Sequence, residues 1–423
     1  MKKLSLIILI IFAAGAFFRL SAQESILEKY IRIAVENNPD LRASYKNYEQ
    51  MLERVDQSKV LPDPTLSAGV FVSPVETRVG PQRAKLSISQ MFPWFGTLGL
   101  KEDANLLRAE AQLQEYRSKE NALAYRVSRQ FFLLYQNEEE LRITAELIRT
   151  LEILERIVLK KYETAQTGMA DIIRIQMQID EKQARLEELQ DRKQWLETDF
   201  LQLLDPKEEL NIELPDTLNI YAQESRAVLM DSVFEFNEEL QAREVELEAT
   251  QKQIEVARKN ALPGFGLGLD YAIIGERDDV SLSDNGMDAI MPMFSISLPI
   301  NQKKYKAAIR ESELKSEQAE LKIEATKNRL ISEYEENLIT YRKALRDLEL
   351  YRSQSRKARQ VMRLLTREYS STGKGYDEVI AMQQLLFNYE LKMEKALTDF
   401  HVAMAYFEYL KGTNAFAKKA PGH

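Results

Sequence analysis

Four short stretches of the chain alternate apolar residues with small or polar ones at the period of a strand. In Thr65 to Ser73, the residues Leu66, Ala68, Val70 and Val72 share one side, and in Leu86 to Phe92, Leu86 and Ile88 oppose Ser87 and Ser89. The pattern returns in Phe265 to Ile273, where Phe265, Leu267, Leu269, Tyr271 and Ile273 alternate with Gly266, Gly268, Asp270 and Ala272. Phe294 to Ile300 closes the set and repeats the Ser-Ile-Ser of Ser87 to Ser89. These runs predict two hairpins, 65–92 and 265–300, with long polar tips at Pro74 to Arg83 and Gly275 to Ala289.

The rest of the chain has the periodicity of helices. Between Leu100 and Asp205 there is no proline and one glycine, Gly168; between Ile300 and Lys411 there is no proline, and the glycines are Gly373 and Gly375. Both spans are rich in good helix formers, so each predicts a helical hairpin whose turn sits at the glycines. One helix is expected from about Ser25 to Val60, ending at Pro62 and Pro64. Seams recur every three or four residues, at Leu147, Leu151, Leu154 and Val158, and at Val379, Met382, Leu386, Tyr389, Met393, Ala396 and Phe400, as in side-by-side coiled-coil packing.

The two halves match. Leu41, Tyr48, Val55 and Pro64 correspond to Leu240, Leu247, Ile254 and Pro263 at an offset of 199 positions; Tyr162, Gly168 and Gln176 correspond to Tyr369, Gly375 and Gln383 at 207. The expected organisation is a signal segment 1–22, a first repeat 23–204, an equatorial connector 205–235, a second repeat 236–411 and a flexible tail 412–423. Each repeat would contain a helix, a β-hairpin, a long helix, a turn (near 168 and near 373–375) and a helix. A helix from Leu100 to Gln166 would span roughly 100 Å at 1.5 Å per residue. Two shorter helices stacked end to end would match it, and the expected shape is a uniform rod.

Composition narrows the setting. Met1-Lys2-Lys3, the apolar run Leu4 to Phe18 and the small residues at Ser21-Ala22 have the order of a secretory signal. Its removal would move the formal charge from −8 to −11, a poor balance for binding nucleic acid. The chain has no cysteine, which excludes disulfides and thiolate metal sites. No later stretch approaches the roughly 20 apolar residues of a membrane helix, so any crossing must use strands.

Unpaired backbone groups cost several kcal/mol each in lipid, so a strand edge cannot stay open in a bilayer. Four strands are too few to close, since the smallest membrane barrels have about eight. The hairpins therefore predict a barrel shared between copies, apolar outside and lined with Gly, Ser, Asp and Ala. Because each hairpin leaves on the side it entered, all helices would lie on one side. Phe92, Trp94 and Phe95 fall where aromatic belts form, or alternatively where they pack on the helix below.

With these elements in place the chain resembles a TolC-type outer membrane efflux protein. The likeness rests on Asn38-Pro39-Asp40-Leu41, the helix ending at Pro62, Ser87-Ile88-Ser89-Gln90, and the Tyr-x5-Gly turns Tyr162 to Gly168 and Tyr369 to Gly375. It implies a mainly α fold with a small β part, in which coiled-coil helices continue a 12-stranded barrel of a homotrimer. It also implies an outer membrane location with the helices in the periplasm, and passive export in partnership with a periplasmic adaptor and an inner-membrane pump. The helix-turn tips, with Gly168, Met169, Gly373 and Gly375, would meet the adaptor. Asp171, Asp377 and Glu378 would contribute acids to a periplasmic gate; the competing reading is that acids in a first helical turn complement its dipole. A periplasmic adaptor would need one long hairpin, not two, and a secreted coiled coil leaves the β-hairpins without a purpose.

No enzyme chemistry is legible. The two histidines, His401 and His423, are too few for a catalytic or metal cluster, and the Gly264, Gly266, Gly268 alternation precedes a strand, unlike a dinucleotide fingerprint. No cofactor is expected. Met287, Met291 and Met293 are ordinary gap-fillers on this reading, not a soft-metal path.

Overall fold

The computed structural model describes residues 25–218, 220, 230–279, 281–372 and 375–412. The expected signal segment, Gly373, most of the tail and part of the connector lie outside the described residues. Along the chain come α1 (Ile26–Asn37), α2 (Pro39–Ser58), β1 (Thr65–Thr77), β2 (Gly80–Phe92), α3 (Thr97–Glu163) and α4 (Met169–Leu204). Then follow α5 (Met230–Phe236), α6 (Glu238–Asn260), β3 (Gly264–Ile274), β4 (Ala289–Ser297), α7 (Gln302–Thr372) and α8 (Tyr376–Lys411). The chain divides into two compact units, and each takes segments from both expected repeats. One comprises Met1–Pro39, Glu120–Leu229 and Glu333–His423, the helical unit; the other comprises Asp40–Lys119 and Met230–Ser332, the sheet unit.

The single helix expected over Ser25 to Val60 is two. Ser25 caps α1 by accepting a hydrogen bond from Glu28 N, while its own N–H donates to the Glu28 carboxylate at 2.9 Å. The helix stops at Asn38, whose ψ of 121° is the extended conformation favoured before a proline, and Pro39 opens α2 at the position where a missing N–H costs nothing. The second half breaks at the same offset of 199, where Asn237 ends α5 and its side chain accepts from Leu240 N at 3.0 Å to cap α6.

In the helical unit a core forms from Ile143, Leu147, Leu151, Leu154 and Val158 of α3, Ile172, Ile175 and Ile179 of α4, Tyr369 of α7, and Tyr376, Val379 and Phe387 of α8. The α3 seam is the expected one. On α8 the expected seam is buried at Val379, Ala396 and Phe400 and half-buried at Met382, Leu386, Tyr389 and Met393, while Gln383, Phe387, Glu394 and Thr398 are buried beside it. A helix with neighbours on more than one face buries a band wider than one heptad line, and its polar members are then enclosed too. Several buried amides bridge between helices, and two of them match between the halves. Gln130 donates to Leu196 O at 3.3 Å, and Asn337 donates to Ala403 O at 2.9 Å, two bonds related by the offset of 207. Nearer α1, the Tyr30 ring meets Phe200 edge-on at 5.1 Å.

The turns of the two helical hairpins differ. At the end of α3 the left-handed residue is Ala165, with φ of 57°; Gln166 N donates to Lys161 O and Ala165 N to Tyr162 O, the bond pair of a Schellman cap. Gly168 has φ of −95°, which any residue adopts, so this turn does not use its glycine as expected. Gly375 does, with φ of 85°. The matched tyrosines also part: Tyr369 is 1% exposed and Tyr162 46%.

In the sheet unit the strands form one antiparallel sheet of order β1-β2-β3-β4. The first hairpin is longer than expected, because Thr77 pairs with Gly80 and most of the anticipated Pro74 to Arg83 loop is strand. Only Arg78 and Val79 turn. The register shifts between Val70 and Val75 mark an irregularity near Pro74, which has no N–H to donate to a ladder. β4 stops at Ser297, two residues before Pro299. Of the matched positions on α6, Leu240 is fully buried and Leu247 and Ile254 are half-buried, and a second line at a step of seven, Ala242, Ala249 and Val256, is buried beside them.

Candidate membrane face and helix-turn site

Register decides which residues share a face of the sheet. Leu66 lies opposite Ile88, Ile88 opposite Leu269, and Leu269 opposite Pro292; Ala68, Leu86, Tyr271 and Ile290 form the next row. Gln90, Leu267 and Phe294, then Phe92, Phe265 and Ile296, complete that face, which is apolar except for Gln90. It is also exposed: Val70 is 79% accessible, Ile290 67% and Phe294 63%. An apolar patch of this extent is far outside what a water-facing surface carries. β1 and β4 are the outer strands, each hydrogen-bonded to one neighbour, so the sheet has two open edges. Among the described residues no helix is long and apolar enough to cross a membrane.

The opposite face carries Ser67, Gly69, Lys85, Ser87, Ser89, Gly266, Gly268, Asp270 and Ser295, with Met91, Met291 and Met293 among them. Lys85 and Asp270 form an ion pair across β2 and β3. Among the described residues no group of His, Asp or Glu is placed to hold a metal ion.

At the helix end of the sheet, Trp94 stacks on Phe265 at 5.5 Å, and Phe95 approaches the same ring at 5.9 Å. Phe265 in turn stacks on Phe294 at 6.3 Å. The predicted trio Phe92, Trp94 and Phe95 thus gains Phe265 and Phe294, whose place in it depends on strand pairing. At the other end, the β3–β4 loop folds over the tip of the first hairpin: Gly275 N donates to Pro81 O and Gly286 N to Val79 O, both at 2.7 Å, and Arg78 pairs with Asp284.

In the helical unit the two turns lie together. Gly168 precedes α4 and Met169 opens it, half-exposed; Gly375 precedes α8. Asp377 is 81% exposed, and its carboxylate accepts from Arg174 at 3.0 Å; the same guanidinium is 3.7 Å from Asp171. Thr167 donates to the Asp171 carboxylate. The Tyr376 hydroxyl donates to Asp171 O at 3.1 Å. Burial, reinforced by Asp171, pushes the Tyr376 phenol up to about 12, so it remains a donor at neutral pH. Glu378 is exposed beside them. Sequence reasoning found the acids but missed Arg174 and Tyr376; Arg174 sits one helical turn after Asp171, a spacing that was there to be noticed.

Residues 229–392, less than half of the chain, match the model of the outer membrane efflux protein family. The fold extends the likeness. The structure is similar over 92% of this chain and 96% of the other to the outer membrane protein VceC from Vibrio cholerae, with a TM-score of 0.76 and 16% identity. The chain resembles the TolC-type outer membrane efflux proteins. It is likewise similar to the outer-membrane channel OprN, with a TM-score of 0.78 at 14% identity over 92% of this chain and 90% of that one. The open-state MtrE outer membrane channel of Neisseria gonorrhoeae matches with a TM-score of 0.74 and 18% identity, over 91% of this chain and 88% of the other. No curated protein sequence matches the chain. At these identities the shared property of this efflux-protein fold is its architecture: long helices joined to one four-stranded antiparallel sheet.

Proposed function

We propose that this protein is an outer membrane efflux channel, not an enzyme, that gives export substrates a passive exit. The observation that carries the reading is the sheet, with its exposed apolar face, its polar opposite face and its two open edges. In lipid such edges must be paired, and four strands per chain meet that requirement when copies share one barrel. Three copies give the twelve strands that the resemblance implies. The apolar face then meets the outer membrane, the face with Lys85, Ser87 and Asp270 lines water, and the helices stand in the periplasm. There the helix-turn tips, with Gly168, Met169 and Gly375, meet a periplasmic adaptor that couples the channel to an inner-membrane pump.

The gate reading extends to Arg174. With Asp171 and Asp377 around one guanidinium, and Tyr376 tied to the α4 backbone, the two turns are clipped together, and opening requires that clip to part. A carboxylate at a narrow aperture also favours cations. Fractionation tests the location, and recovery of the protein in the soluble periplasm would remove the reading. Cross-linking of detergent-extracted protein is expected to stop at the trimer. In planar bilayers, Asp377→Ala is expected to raise conductance and weaken cation preference, while Arg174→Ala raises conductance and keeps that preference. Parent-like behaviour of both variants would defeat the gate assignment and leave the channel standing.

A further inference from the structure

Arg174 ties α4 to α8 from an exposed position. The other two helices that reach the turns, α3 and α7, are tied by a cation of another kind. Both end there, α3 at Glu163 and α7 at Thr372, so the negative ends of two helix dipoles come close. The last turn of α3 holds Lys160 and Lys161, whereas the last turn of α7 holds no basic residue. Lys161 serves both helices. Its backbone belongs to α3, while its ammonium donates to Ser370 O of α7 at 3.4 Å and stands 5.2 Å from the centre of the Tyr369 ring. Ser370 O is one of the four carbonyls at the end of α7 that have no partner within the helix.

Lys161 is 8% exposed, and among the described residues no carboxylate pairs with it. The Tyr369 hydroxyl is buried and makes no hydrogen bond, so the face of the ring, not its oxygen, meets the ammonium. A buried charge is costly unless its surroundings satisfy it. Here a carbonyl and a ring of α7 do so, and only while α3 and α7 stay in contact. We propose that Lys161 is a second clip of the periplasmic gate, joining α3 to α7 as Arg174 joins α4 to α8. The proposal rests on the gate reading above and adds a positioning residue to it, one that acts through the helix ends it holds. The two clips differ in exposure. Salt screens Arg174 and Asp377, which are 58% and 81% exposed, far more than it screens a buried ammonium.

Conductance of the full chain in planar bilayers, at about 0.1 M and about 1 M KCl, tells the clips apart. Lys161→Met keeps the apolar stem on the Tyr369 ring and removes the charge. Its conductance should exceed that of the parent at least threefold at the lower salt, and the ratio should rise at the higher, where the remaining clip is screened. For Arg174→Ala the ratio should instead fall towards one, because salt has already weakened that clip in the parent. Lys161→Arg, which keeps a cation, and Tyr369→Phe, which keeps the ring, should stay within twofold of the parent. Lys161→Gln is read in the same way if Lys161→Met does not assemble. A neutral variant within twofold of the parent at both salts would overturn the clip. So would a ratio indifferent to salt, the mark of lost packing alone, or a Lys161→Arg or Tyr369→Phe channel as open as the neutral one. The same recordings distinguish two failures: open Arg174→Ala and Asp377→Ala channels beside a parent-like Lys161→Met overturn this clip alone, and three parent-like variants remove the gate beneath it.

Discussion

At Gly80 the backbone has φ of 135°, and a Cβ built there would lie 1.8 Å from the Gly275 carbonyl oxygen. No side chain fits both constraints. Gly80→Ala should therefore loosen the contact between the hairpin tip and the β3–β4 loop, at a cost above about 2 kcal/mol. The check is faster proteolysis of that loop on intact cells. Two titratable groups in the helical unit, the buried Glu394 and the half-buried His401, act in opposite directions. Burial, with Glu139 adding repulsion, raises Glu394 from 4.5 to about 7, so the folded chain holds a proton that the unfolded chain lacks between those values. Its contribution to stability falls as pH rises from 4.5 to 7. His401, enclosed by Phe132 and Phe400, is lowered by burial from 6.5 to about 4, so its contribution is lost as pH falls from 6.5 to 4. Each slope reaches at most about 1.4 kcal/mol per pH unit, and between pH 4.5 and 6.5 they largely cancel. Relative to the parent, Glu394→Gln should gain stability as pH rises from 5 to 6.5, and His401→Gln should lose it. Urea unfolding at the two pH values reads both signs, and parallel curves for parent and variants would contradict the assignment.

At the scale of elements, capping chemistry and backbone restriction set the breaks. Asn38-Pro39 divides what hydrophobic periodicity alone joins into one helix, a readable stop signal that the continuous seam outweighed, and Asn237 makes the matching break in the second half, where the second repeat was expected to begin. Asn237→Ala should cost about 1 kcal/mol, measured as a lower urea midpoint for the sheet unit, because the Leu240 N–H loses its acceptor. The buried amide bridges Gln130 to Leu196 and Asn337 to Ala403 make a sharper case. They are polar residues on core faces, which a seam of Leu, Val and Phe does not announce. Their matching offset shows that the repeat extends to hydrogen bonds. Asn337→Leu should remove one directed contact between α7 and α8 at a cost of about 1–2 kcal/mol, and Gln130→Leu the equivalent contact between α3 and α4. Amide exchange near Ala403 and Leu196, respectively, would report which helix pair loosens; an unchanged pattern would mean that the bridges contribute nothing.

For the whole molecule, the decisive quantity is which side of the sheet each residue takes. Leu267 is on the apolar face and Ser87 on the other. Leu267→Arg should cost about 2–4 kcal/mol in the bilayer and deplete the protein from the outer membrane fraction, while Ser87→Arg should insert normally and alter conductance. Equal insertion of both would remove the lipid-facing assignment. This alternation was legible in the sequence, since a strand exposes every second residue and needs no partner to do so. So were the long helices, the doubled order of elements, and the argument that four strands are too few to seal a pore. What the tertiary structure decided was everything that depends on a neighbour. It widened the α8 seam by enclosing Gln383 and Glu394, split matched tyrosines into buried Tyr369 and exposed Tyr162, and drew each compact unit from both repeats. It also brought Arg174 between Asp171 and Asp377. Periodicity is a property of one segment and can be read along it. Burial, pairing and charge neutralisation are properties of two segments at once, and they exist only after the chain has folded.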